Sequence, residues 1–287
     1  MKFGVIPPYG IAALETGAYA AEFARLAERS GFESIWVVEH VVMPRAYRSV
    51  YPYDPSGRSP FTAEVVQPDP LLWLGYVAAH TSTIRLATGV LILPQRNPLI
   101  LAKELATLDR LSAGRVLVGV GVGWVREEAE ALGTDFASRA RRADEYVAVM
   151  RSLWREPAAS FAGDFVRFDG MVCEPKPVRP EGVPIVVGGH SRAAARRAGR
   201  WGDGFFPLGV TPARMKELRA EMDREARASG RDSGRIEVTT VATPDATGLA
   251  YCKALAADRM VVAARERDLD SLARSFDRFA NDVMAVH

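Results

Sequence analysis

The sequence predicts an α/β protein built as a (β/α)8 TIM barrel, with insertions after strands 2 and 4 and residues 1–287 forming a single domain. Three observations carry this expectation. Short apolar runs alternate with helical patterns almost from end to end. Eight of those runs read as strands. Several are apolar on both faces, as buried parallel strands are. Eight strands, each followed by a helix, within about 250 residues plus insertions is the signature of the barrel, and a doubly wound sheet is the alternative use of the same alternation.

Taken in order, Phe3–Ile6 is the first strand, and Tyr19, Phe23 and Leu26 mark one face of a helix that Gly31 ends as a left-handed cap. Ser34–Val38 follows, then a long segment rich in Pro, Tyr and Arg, Met43 to Pro68. The third strand spans Leu86–Leu93. Asn97 caps the next helix with Pro98 at its first position, and Leu101, Leu105 and Leu108 lead to Gly114. Val116–Gly121 is the fourth strand. A second long segment, Glu156 to Pro184, contains the hairpin-like "SFAGDFVRFDG". Pro184–Val187, Gly204–Phe206, Ile236–Val241 and Met260–Ala263 complete the strands, and Leu269, Leu272, Phe276, Phe279 and Val283 keep helical spacing. Loops as long as the two insertions are usually functional or mobile. The first reads as a lid in which Tyr47, Tyr51, Tyr53 and Phe61 exclude water. Its Arg45, Arg48 and Arg58 either meet an anionic cofactor tail or are simply solvated.

Composition narrows the function. A net charge of +2 with scattered basic residues gives no nucleic-acid footprint. Only Cys173 and Cys252 occur, without a CxxC, which suggests neither a disulfide framework nor a zinc site. The histidines form no HxH or HExxH, so no metal is expected. No apolar run approaches the roughly 18 residues of a membrane span. A first strand beginning at Lys2 leaves no room for a signal peptide. The expected setting is cytoplasmic and reducing, with a small-molecule substrate and no membrane partner.

Catalytic residues of such a barrel lie at the carboxyl ends of its strands. There the sequence places Glu39 and His40 after strand 2, and Thr88, Gly89 and Val90 in strand 3, with Pro94, Gln95 and Arg96 beyond. Gly123, Trp124, Arg126 and Glu127 follow strand 4, and Gly188, Gly189, His190 and Ser191 follow strand 5. The last group opens "GGHSRAAARRAGRW", a glycine turn into a helix. That is either an anion site made of backbone N–H groups, Ser191 and Arg192, or merely a capped helix. His40 is either structural or a proton-transfer group. In "GRVLVGVGVGW" one face carries Val116, Val118, Val120 and Val122, and the other carries Leu117, Gly119, Gly121 and Gly123. With the valines on the helices, the glycines leave either a slot for a planar heterocycle or room for a bulky neighbour from the adjacent strand. Trp124 stands where a GxGxxG fingerprint needs its third glycine, and no GxSxG elbow occurs.

Together, "SIWVVEHV", "LATGVLILPQRNPLILAKELATLDRLSAGRVLVGVGVGW" and "VVGGHSRAAARRAGRWGDGFF" resemble the bacterial luciferase-like superfamily, and more narrowly its branch using the deazaflavin coenzyme F420. The resemblance runs from about Lys2 to Phe206. It implies a tricyclic ring at the carboxyl end of the barrel, backed by a non-prolyl cis peptide at Gly89–Val90. The ring is expected over Thr88, Gly121 and Gly123, with its phosphate on Gly188, Gly189, His190 and Ser191. Glu39 matches an acid that contacts the ring, and His40 an active-site histidine of sugar-phosphate dehydrogenases. Those dehydrogenases carry a glutamate proton donor at the end of strand 4, where this chain has Trp124, so their activity is not carried over. Trp124, with Tyr47 and Tyr51, is expected to wall the substrate pocket. The implied function is an F420-dependent oxidoreductase that transfers a hydride, with His40 handling the proton. An FMN-dependent luciferase-like monooxygenase is the first alternative and a non-catalytic deazaflavin- or flavin-binding protein the second. The family habit implies a homodimer.

Overall fold

In a computed structural model describing residues 1–287, eight parallel strands close into a barrel. They are β1 (Lys2–Ile6), β2 (Ser34–Val37), β3 (Arg85–Thr88), β5 (Val116–Gly121), β8 (Ile185–Gly188), β9 (Gly204–Phe206), β10 (Glu237–Val241) and β11 (Arg259–Ala263). Each pairs with the next, and β11 pairs back onto β1, matching Phe3 with Met260 and Val5 with Val262. Such closure leaves no unpaired sheet edge. The helices are α1 (Gly17–Arg29), α2 (Pro70–Ala78), α3 (Pro98–Leu111), α4 (Arg126–Ala131), α5 (Arg139–Arg155), α6 (Arg192–Trp201), α7 (Pro212–Ala228), α8 (Ala246–Ala254) and α9 (Leu269–Phe279). None is long and apolar enough to cross a membrane.

Local chemistry accounts for the helix ends. Thr16 caps α1 through its hydroxyl, and Asn97 caps α3 by accepting from Leu99 N–H at 2.9 Å, with Pro98 at its first position. Gly31 takes φ +87°, the left-handed conformation expected past α1.

Two expectations need refinement. The third strand is not continuous from Leu86 to Leu93. It breaks after Thr88, and the short β4 (Leu91–Ile92) resumes pairing with β5 at Val120 and Gly121. Between them the Gly89–Val90 peptide is cis. The second insertion comes after α5, the helix that returns the chain from strand 4. Its hairpin, β6 (Ala159–Ala162) with β7 (Arg167–Met171), packs on α5, where Glu145 accepts the N–H groups of Asp164, Phe165 and Val166.

The core has two layers. Val116, Val118 and Val120 of β5 face outward into the helix layer. Inside the barrel, Trp36, Ala87, Leu117, Val186, Phe206 and Val261 form a separate cluster. Strand alternation in "VLVGVG" thus puts the valines outside and Leu117 and the glycines inside.

One carboxylate ties a helix to the barrel. Glu28, in the last turn of α1, accepts the N–H groups of Ser82, Thr83 and Ile84 at 2.5–2.9 Å, the segment that leads into β3. Burial acts to raise its pKa, but these donors prevail and bring it down to about 2. A depressed carboxylate pKa stabilises the fold above the unfolded value and loses that contribution as pH falls through the folded one. Solvent screening at this partly exposed site leaves an expected cost for Glu28→Gln of about 1 kcal/mol at neutral pH. Denaturant titrations of both proteins should show that gap closing between the ordinary carboxylate range and about pH 2.

Candidate active site

A cavity of about 880 Å³ opens at the carboxyl ends of the strands, lined mostly by apolar side chains. That is the size and character of a cofactor-plus-substrate site. His40, Trp124, Tyr51, Gly123, His190 and Ser191 line it, as do Glu39, Gly89, Val90, Gly121, Gly188 and Gly189.

The floor corrects the expectation of a bare slot along the glycine face. Val90 turns into the barrel, and its methyl groups fill that face. A Cβ at Gly121 would lie 2.8 Å from Val90 Cγ2, and one at Gly188 would lie 2.8 Å from Val90 Cγ1. At Gly119 a Cβ would fall far inside contact with the Thr88 carbonyl oxygen. The glycines therefore admit the β3–β4 turn, and what faces the cavity is Val90 itself, an apolar platform. Gly123, at φ +78°, is glycine for conformational reasons as well.

Two further residues stand differently from expectation. Thr88 is buried beneath the platform, its hydroxyl donating to Gly119 O at 2.8 Å, and it does not line the cavity. Glu39 reaches the cavity wall, but its carboxylate is engaged: Ile92 N–H donates to Oε2 at 2.6 Å, and Arg96 donates to Oε1 through Nε (2.8 Å) and a second guanidinium nitrogen. Arg96 also binds Asp69 at 2.7 Å. Against the pull of burial, Glu39 and Asp69 hold its pKa above the ordinary value. Glu39 thus locks the turn that presents Val90.

His40 has an oriented imidazole. Its Nδ1 lies 2.8 Å from Oε2 of Glu128, a carboxylate with no exposed side-chain surface. Glu128 Oε1 accepts Val41 N–H at 2.7 Å and Val42 N–H at 3.4 Å. Trp124 meets the imidazole edge-on, the ring centroids 5.8 Å apart at 90°. Sequence reasoning missed Glu128 because its partner is 88 residues away. A usable signal existed: Glu128 shares a helix face with Val125 and Ala129, and an acid on an apolar face needs a partner.

The lid aromatics close the cavity. Tyr51 packs edge-on against Trp124 at 5.1 Å and against Tyr53 at 5.3 Å, and Tyr53 packs on His190 at 4.8 Å. Burial pushes the Tyr53 phenol up to about 12, so it is neutral. Phe61 meets Tyr9, whose hydroxyl accepts Val38 N–H at 2.8 Å. Tyr47, expected on the pocket wall, touches Trp124 at 5.4 Å but does not line the cavity. Glu127 fastens the lid by accepting Arg48 N–H (2.6 Å) and the Ser49 hydroxyl (2.7 Å).

At the other end lies a cradle for an anion. Gly189 has φ +108°, and Ser191 caps α6 by accepting from Ala194 N–H at 3.1 Å, which leaves its own hydroxyl proton free. His190 Nδ1 is buried without a partner. Burial and then Arg214 lower the His190 pKa, so its imidazole is neutral there. Arg126, Arg139 and Arg197 line the same cavity. Burial and then the charges of Arg126 and Arg197 depress the Arg139 pKa, while Arg126 pairs with Glu130 at 3.3 Å and Arg197 with Asp144 at 3.0 Å. An orphaned imidazole nitrogen, a helix N-terminus and the Arg139 guanidinium, which bonds only backbone carbonyls, together fit a phosphate.

Comparison with known proteins places this geometry. The family model for luciferase-like monooxygenases matches residues 1–246. An uncharacterized protein of Mycobacterium tuberculosis is 40% identical over 174 residues, 61% of this chain and 61% of that protein. An F420-dependent glucose-6-phosphate dehydrogenase of Kineococcus radiotolerans is 32% identical over 228 residues, 76% of this chain and 61% of the dehydrogenase. The chain thus spans about three fifths of the length of both relatives. An F420-dependent secondary alcohol dehydrogenase, solved with an F420–acetone adduct, superposes with a TM-score of 0.76 at 20% identity, covering 100% of this chain and 99% of its own. At that identity the likeness is one of fold.

Proposed function

The chain belongs to the luciferase-like monooxygenase family, and from that membership and its site we propose that it is an F420-dependent oxidoreductase acting on a small organic substrate. The observation carrying this reading is the layout of the single large cavity. An oriented histidine follows β2, an anion cradle follows β8 three strands further round the barrel, and the apolar Val90 lines the same cavity. The F420-dependent relative supports the deazaflavin over FMN.

The residues present fit the group. Val90 would support the ring, and Gly188, Gly189, His190 and Ser191 would hold the phosphate, aided by Arg139. When bound, the deazaflavin supplies a two-electron hydride carrier. The chain does the rest. His40 gives or accepts the accompanying proton at Nε2. Trp124 and Tyr51 wall the substrate side, and the lid held by Glu127 excludes water. A homodimer and a cytoplasmic setting, with the chain as one domain, belong to the same proposal. Leu72 (79% exposed) and Ile100 (59%) are apolar side chains open on the neighbouring helices α2 and α3, and both cysteines are free.

Fluorescence titration with F420 and with FMN tests the cofactor. The expected result is at least about tenfold tighter binding of the deazaflavin, a difference of about 1.4 kcal/mol. Equal or tighter binding of FMN, or binding of neither, overturns the reading.

A further inference from the structure

We infer that Glu128 is the positioning residue for His40: its buried carboxylate holds the proton on Nδ1 and turns Nε2 toward the substrate. The inference rests on the proposed redox reaction for its catalytic meaning, although the geometry stands independently of it.

Which imidazole nitrogen carries the proton is set by the hydrogen bond the other makes. A carboxylate only accepts, so at 2.8 Å from Glu128 Oε2 the His40 Nδ1 must donate. Nε2 makes no hydrogen bond within the protein, and His40 lines the cavity. Rotation of the ring is limited by Trp124, set perpendicular to it. Glu128 itself is fixed, because Oε1 is held by Val41 and Val42 N–H at the root of the lid.

The competing explanation is that Glu128 merely pins those two backbone groups. One oxygen suffices for that, whereas the second is spent on His40. The other acids near the cavity are held by partners, and although burial raises the Glu39 pKa, both its oxygens are bonded. Glu39 is bound by Arg96 and Ile92, and Glu127 by Arg48 and Ser49. Tyr9, Tyr51 and Tyr53 have phenols raised by burial, and His190 packs on Tyr53 at the anion end. His40 is left as the proton-transfer group. In oxidation of a C–OH group the C=O bond forms as the hydroxyl proton moves to Nε2 and then to water, and a bound deazaflavin would take up the C–H hydride. Reduction reverses each step. Glu128 keeps its hydrogen bond to Nδ1 throughout, and its carboxylate would stabilise the imidazolium when it forms.

Glu128→Gln separates the two explanations. A glutamine carbonyl still accepts Val41 and Val42 N–H, so the lid root is kept. Its amide must donate to Nδ1, which forces the His40 proton onto Nε2. Nitrogen-15 NMR of the histidine-labelled full-length protein reads this directly. With four histidines in the chain, a His40→Asn variant assigns the signals. The expected result is a protonated Nδ1 in the parent and its loss, with gain of Nε2–H, in Glu128→Gln, at unchanged thermal midpoint. The same tautomer in both proteins, or Nε2–H alone in the parent, overturns the inference. Deazaflavin affinity, measured on the same samples, should be unchanged. If neither protein binds the deazaflavin, the proposed function fails while the tautomer result still decides this point.

Discussion

Gly119→Ala is expected to cost about 3 kcal/mol or more, at the upper end of what overpacking a core exacts. A new Cβ would press on the Thr88 carbonyl oxygen, which belongs to the backbone and has no rotamer to change. That backbone is fixed by the pairing of Leu86 and Ala87 with Val116 and Leu117, and by the Thr88 hydroxyl on Gly119 O. A loss of this size is a large part of the roughly 5–15 kcal/mol that holds a typical domain together. Gly121→Ala is the control. There the nearest atom is a Val90 methyl at 2.8 Å, which is able to move, so the expected cost is smaller, about 1–2 kcal/mol. Its main effect should be on the cavity, because Val90 is displaced toward the ring position and deazaflavin affinity falls. Denaturant unfolding of both variants checks the order, and equal costs at the two positions would refute the packing described here.

His40→Ala should slow steady-state turnover by about 10²–10⁴-fold, the range for removing a positioned acid or base. Deazaflavin affinity should be largely unaffected, since His40 follows β2 and the anion cradle follows β8, three strands away around the barrel. The variant also leaves the Oε2 side of Glu128 without its donor, a stability cost of about 1–3 kcal/mol. His40→Asn retains an amide donor for Glu128, so comparing the two separates the proton from the packing. Full activity in either variant removes His40 from the reaction.

Much of the barrel was legible in the sequence because its signals are local. Val116–Gly121 and Gly204–Phe206 are strands with the expected bounds, and the Asn97–Pro98 and Gly31 signals end helices as expected. Two things were not legible, for a common reason. The glycine face of β5 shows that side chains are absent, but only the fold shows that Val90 from β3–β4 occupies the space. The "EE" after Trp124 shows two acids, but only the fold brings Glu128 of α4 to the histidine that follows β2. Glu39 is a milder instance. Its acidity was visible, whereas its commitment to Arg96 needed a residue 57 positions away.

The placement of Val90 also constrains how this chain is able to diverge. One isopropyl group is shared by glycines from two strands, with a van der Waals fit at each. Shrinking the valine alone opens a void, and enlarging Gly121 or Gly188 alone creates a clash. A change at one of these positions is therefore offset most readily by a change at another, so they are expected to be epistatic. Trp124 and the lid tyrosines instead pack on one another and on His40 and His190, so changes in substrate preference are expected to involve that aromatic set while the Val90 platform is kept.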